Sequence, residues 1–94
     1  MNATVVKVGG SLAAYPEKLR ALCVRLSEVS KKHRLIVVPG GGEFADIVRS
    51  LDEKFSLSCG VSHRMAILGM DQYGMLLSDL IHNSVTVCKL EEMQ

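Results

Sequence analysis

Lys7 stands inside an apolar run, Val5-Val6-Lys7-Val8, that ends in Gly9-Gly10-Ser11. A second apolar run, Leu35-Ile36-Val37-Val38-Pro39, ends in Gly40-Gly41-Gly42-Glu43. Each glycine loop separates a strand-like run from a segment with helical periodicity. In that arrangement the glycines let the backbone approach a ligand closely, and the first N–H groups of the helix face it, which makes an anion site. An unpaired ammonium is costly to bury in an apolar strand, so Lys7 needs an explanation. Two readings stand: it neutralises a phosphoryl group beyond the strand's carboxyl end, or it is an edge-strand lysine whose stem snorkels to water. Gly9 and Gly10 would present N–H groups to phosphate oxygens, while Ser11 either donates its hydroxyl or caps a turn. Gly40, Gly41 and Gly42 form the stronger loop, against the alternative of a flexible connector. Glu43 suits the dipole of the helix it opens and needs no catalytic role. The pattern points to phosphate chemistry, although neither loop matches the P-loop or dinucleotide fingerprint.

Other candidates are weaker. His63 and Arg64, at the start of a predicted third helix, would either meet an anionic acceptor or form an exposed first turn. Asp46, Asp71 and Asp79 fall on predicted helices and read as solvated charges. Asp71 stands out because it interrupts an apolar stretch within Met70-Asp71-Gln72-Tyr73-Gly74. His33, His63 and His82 lack metal-ligand spacing, so no metal site is expected. Cys23, Cys59 and Cys88 are widely spaced, odd in number and without a Cys-x-x-Cys pair, as expected of ordinary thiols in a reducing cytosol. Lys31-Lys32-His33-Arg34 reads as a solvated helix end, where cations suit the dipole.

Six elements must position these residues. The β-branched run over 3–9 predicts a buried strand. Residues 16–32 predict a helix, with Pro16 in its first turn and Leu19, Leu22, Cys23, Leu26 and Val29 on one face. The unalternating run 35–39 predicts a strand buried on both faces, as in parallel sheets. Residues 42–55 predict a helix with Phe44, Ile47, Val48, Leu51 and Phe55 on one stripe. A turn over 56–60 leads to a helix over 62–82, capped by Ser62 and apolar over much of its circumference. Residues 84–89 predict a third strand. The order β-α-β-α-α-β predicts a parallel sheet with right-handed crossovers, whose ligands bind beyond the carboxyl ends of the strands. Both glycine loops fall at that end.

Composition bounds the rest. Ninety-four residues, 48% hydrophobic and only 4% aromatic, support one domain over 1–94 with an aliphatic core. A net charge of +1 offers no electrostatic case for a nucleic-acid partner or an anionic membrane. No apolar run is long enough to span a bilayer and residues 1–15 lack a signal-peptide pattern, so a cytoplasmic protein is expected.

The segments Val5-Val6-Lys7-Val8-Gly9-Gly10-Ser11-Leu12 and Ile36-Val37-Val38-Pro39-Gly40-Gly41-Gly42-Glu43-Phe44-Ala45 resemble the amino acid kinase family. Its members, aspartate, acetylglutamate, glutamate 5- and uridylate kinases among them, phosphorylate a carboxylate, carbamate or phosphate with ATP and Mg2+. The resemblance implies a three-layer αβα fold with a mainly parallel sheet, of which 1–94 is the amino-terminal, acceptor-binding half. It implies that Lys7 contacts the transferring phosphoryl group, that Gly9, Gly10 and Ser11 line the phosphate path, and that Gly40, Gly41 and Gly42 hold the acceptor. The stretch Ser62-His63-Arg64-Met65-Ala66-Ile67-Leu68-Gly69-Met70-Asp71-Gln72-Tyr73-Gly74 is similar to a branch found in methanogens and some methylotrophs. That branch implies conversion of a furan phosphate monoester to a diphosphate in methanofuran biosynthesis. A phosphate-holding module without transfer activity, and an α/β unit whose glycines are only turns, are the alternatives. An open sheet edge and an apolar face lead us to expect a homodimer or higher oligomer.

Overall fold

A computed structural model describes residues 2–85. The elements run β1 (Thr4–Val8), a 3-10 turn (Gly10–Ala14), α1 (Pro16–Ser30), β2 (Leu35–Pro39), α2 (Gly42–Phe55) and α3 (Cys59–Leu80). β1 and β2 are parallel, with Val6 opposite Val37 and Val8 opposite Pro39. The α1 crossover between them is the α/β arrangement the element order predicts.

The core lies on one face of this strand pair. Val8, Leu19, Cys23 and Leu26 meet Tyr73, Leu77 and Ile81, with Val6, Leu35 and Val37 packed against them. Residues 6, 8, 35 and 37 share that face because side chains alternate along a strand. α1 contributes one stripe at helical spacing, and α3 contributes Gly69, Tyr73 and Leu77, four residues apart. These are two of the three layers expected.

Several expectations need correction. β1 is not a buried strand: Thr4, Val5 and Lys7 are exposed, Val5 by 64%. β2 is half-buried along its length rather than buried on both faces. The physical reason is that each strand has one neighbour among the described residues, and helices cover one face. Ile47 and Phe55 leave the expected α2 stripe for solvent, at 61% and 69% exposure. α2 rests on α3 and the 3-10 turn, and two neighbours bury only a narrow stripe around Val48.

α3 starts earlier than its sequence suggests. Ser58 is the N-cap and its hydroxyl accepts the Val61 N–H at 3.3 Å. The Ser62 N–H is already bonded to the Ser58 carbonyl. α2 ends on Ser56, which takes left-handed φ and ψ of 49° and 57° and lets the chain reverse in a short link. Of the expected third strand, residues 84 and 85 are not in a strand, and 86–89 lie outside the described residues. No described helix is long and apolar enough to cross a membrane.

Candidate functional site

The two glycine loops meet. The Gly40 N–H donates to the Val8 carbonyl at 2.8 Å, extending the β1–β2 ladder one step beyond the strands. Two residues further on each side, Gly10 and Gly42 come into direct backbone contact, and a methyl group on either would lie inside the other's main chain. Gly42 also holds φ at +50°, in the left-handed region where a side chain is strained. These are positions that only glycine fills.

Two helical starts therefore share one rim, the 3-10 turn after Gly9 and α2 after Gly41. The main-chain N–H groups of Gly10, Ser11, Gly41 and Gly42 make no hydrogen bond among the described residues. Neither helical start has a side-chain cap. Unsatisfied donors at a helix start suit an anion, and the α2 dipole has the matching sign.

α3 fixes this rim from behind. Tyr73 is fully buried and its hydroxyl donates to the Gly9 carbonyl at 2.9 Å. Its ring lies 6.0 Å from that of Phe44, in the first turn of α2. Gly69 lets α3 approach that same turn, since a methyl there would stand 3.1 Å from the Phe44 Cβ. Burial pushes the Tyr73 hydroxyl above its usual pKa, with a smaller push from Cys23, and burial raises the Cys23 thiol likewise. Both groups therefore stay neutral. The sequence offers one hint of this role: a tyrosine in an apolar helix has a polar tip that must find a partner when buried.

Lys7 lies two residues before Gly9, on the exposed face of β1, and forms no ion pair among the described residues. Ser11 is exposed and its hydroxyl makes no bond there either. His63 and Arg64 stand apart from the loops. They occupy the fifth and sixth positions of α3, not its first turn. His63 lines a groove with Ala45, Val48, Arg49, Asp52 and Cys59 that contains none of the loop glycines. Gly69, which does reach the start of α2, is six residues along α3, about 9 Å away. Asp71 lines a concavity of about 530 Å³ between β2 and α3, which also excludes the loop glycines. Among the described residues no three His, Cys, Asp or Glu side chains gather as a metal site.

Comparison with known proteins bears on family and fold. The model of the amino acid kinase family matches residues 2–90. The chain is 41% identical over 78 residues to [5-(aminomethyl)furan-3-yl]methyl phosphate kinase of Methanocaldococcus jannaschii, covering 81% of this chain and 35% of that kinase. Its fold is similar to the crystal structure of uridylate kinase from Archaeoglobus fulgidus, with a TM-score of 0.82 at 24% identity, covering 99% of this chain and 43% of that one. The chain thus spans less than half the length of either relative. On a match that takes in all but a few of its residues, this chain belongs to the amino acid kinase family.

Proposed function

We propose that this chain is the acceptor-binding part of a kinase that transfers a phosphoryl group from ATP to a small phosphorylated or carboxylated metabolite. The observation that carries the reading is the backbone contact of the two glycine loops at Gly10 and Gly42, with the N–H groups of Gly10, Ser11, Gly41 and Gly42 unbonded among the described residues. The name of the methanogen relative makes a furanmethyl phosphate the first acceptor to try. Gly41 and Gly42 would take the acceptor's anionic group at the start of α2, and Gly10 and Ser11 would line the path of the transferred group. Lys7 would neutralise charge as it moves. Catalysis of this kind is positioning and electrostatics, with no protein nucleophile. The donor set fits phosphate oxygens. With no carboxylate cluster among the described residues, Mg2+ would arrive on the nucleotide's phosphates.

Calorimetric titration of the 94-residue chain tests this. We expect [5-(aminomethyl)furan-3-yl]methyl phosphate to bind, and Lys7→Ala to weaken binding about fivefold, the effect of one exposed charge worth about 1 kcal/mol. MgATP binding as well would mean that the chain, alone or self-assembled, builds both halves of the site. No binding of either ligand would refute the proposal.

A further inference from the structure

We infer that Tyr73 is a positioning residue for the anion-binding rim, acting through the Gly9 carbonyl. This rests on the reading of the glycine loops as a phosphate site.

The Gly9 carbonyl and the Gly10 N–H belong to one planar trans peptide unit, and the described chain has no cis bond. Their bonds point in opposite directions. Drawing the Gly9 oxygen inward to Tyr73 therefore turns the Gly10 N–H the opposite way, at a residue that the Gly40 and Gly42 backbones pack against and bury. The Gly10–Gly42 contact places the far end of that unit, and the Tyr73 bond sets the direction of its oxygen. Gly9 has no side chain, and a Cβ built on it would meet nothing within 4 Å. The oxygen's other contact, from the Leu12 N–H, is longer at 3.3 Å and belongs to the 3-10 turn itself. The bond from Tyr73 reaches across 64 positions of sequence and connects the loop to the helix that also abuts the α2 start through Phe44. α3 is thus the common reference against which the two sets of donors are aligned.

Packing alone does not require a hydroxyl at this position. Phenylalanine would fill nearly the same space, and the fold would survive its substitution because the Leu12 N–H still satisfies the carbonyl. Tyr73→Phe therefore separates positioning from packing. The probe is inorganic pyrophosphate, titrated into the 15N-labelled chain while amide shifts and the far-UV circular dichroism are followed. In the wild type we expect the Gly10, Ser11, Gly41 and Gly42 amides to respond together. In Tyr73→Phe, with the helical signal unchanged, we expect affinity to fall roughly tenfold, the consequence of misaligning one hydrogen bond to a charged group. The Gly10 response should be lost selectively, while Gly41 and Gly42 still move. Equal affinity with an unchanged Gly10 response would overturn the inference and leave Tyr73 a packing residue. A wild type whose loop amides ignore pyrophosphate would overturn the phosphate-site reading, and this inference with it.

Discussion

Gly42→Ala should be among the most damaging small substitutions in this chain. Two costs combine. At a φ of +50° an alanine pays the left-handed penalty of about 1–2 kcal/mol. Its methyl also lands inside the Gly10 backbone, so one loop must retreat, at the ~1–3 kcal/mol typical of overpacking. The sum is about 2–5 kcal/mol, against roughly 5–14 kcal/mol for the total stability of a domain of this size. With a urea m-value of about 1–3 kcal/mol/M, the unfolding midpoint should drop by about 1 M or more. Gly60→Ala is the control. Gly60 sits in the first turn of α3 with open space where a Cβ would stand, so alanine should stabilise by up to about 1 kcal/mol. The pair is measured by urea unfolding followed by circular dichroism, with pyrophosphate titration of the folded protein. A Gly42→Ala midpoint at or above the wild type would refute the argument that these loops meet backbone to backbone. A lower midpoint with undiminished pyrophosphate affinity would separate the contact from the site.

Two further expectations follow from the structure. Burial raises the Cys23 and Tyr73 pKa values above the ordinary 9.0 and 10.0, so folding favours both neutral forms. Their contribution is complete below pH 9 and lost as pH climbs through the raised values; the urea midpoint should be flat from pH 7 to 8.5 and fall toward pH 10.5, less steeply in Cys23→Ala. The outer face of α3 exposes Val61, Leu68 and Met75, seven residues apart, by 47%, 55% and 62%. We propose that a second copy covers it. Antiparallel pairing centred between Asp71 and Gln72 sets Leu68 against Met75, and Arg64 against Asp79, both free of ion pairs among the described residues. Sedimentation equilibrium should give about twice the 10.2 kDa chain mass, and Leu68→Glu should return the monomer. A wild type monomeric at all concentrations would refute the pairing.

The sequence announces the elements wherever the signal is periodic and local. The β-branched runs around Val6 and Val37 are strands, and the four-then-three spacing of Leu19, Cys23 and Leu26 is the buried stripe of α1. The 3-10 turn Gly10–Ala14 leaves no such trace because five residues are too few for a period. The sequence places the start of α3 too late, at Ser62, for a chemical reason: Ser58 is an equally competent cap, and the turn at Ser56 puts the helix start there. Burial was less legible than structure type. Val5 and Ile47 have the side chains of core residues, but which faces receive a covering layer is a tertiary fact. At the site, the glycine loops were legible because close approach demands glycine, whatever the ligand. The partnership of Tyr73 with Gly9 was not, since a hydrogen bond across 64 residues has no local signature.

These two kinds of information divide the site's labour. The backbone donors of the rim are fixed by contacts inside the described chain: the Gly40–Val8 bond, the Gly10–Gly42 contact and the Tyr73–Gly9 bond. They can be aligned before any ligand arrives, which is the preorganisation that electrostatic catalysis requires. Lys7 is different, because its exposed side chain has no partner among those residues and no local restraint. In water its charge would be worth about 1 kcal/mol at 4 Å from a phosphate, and about fourfold more where the effective dielectric falls to that near a protein surface. On the proposed reading the rim would therefore supply affinity in the chain as it stands. The contribution of Lys7 grows only when water is displaced from the open face of β1, so transfer should depend on Lys7 far more steeply than binding does.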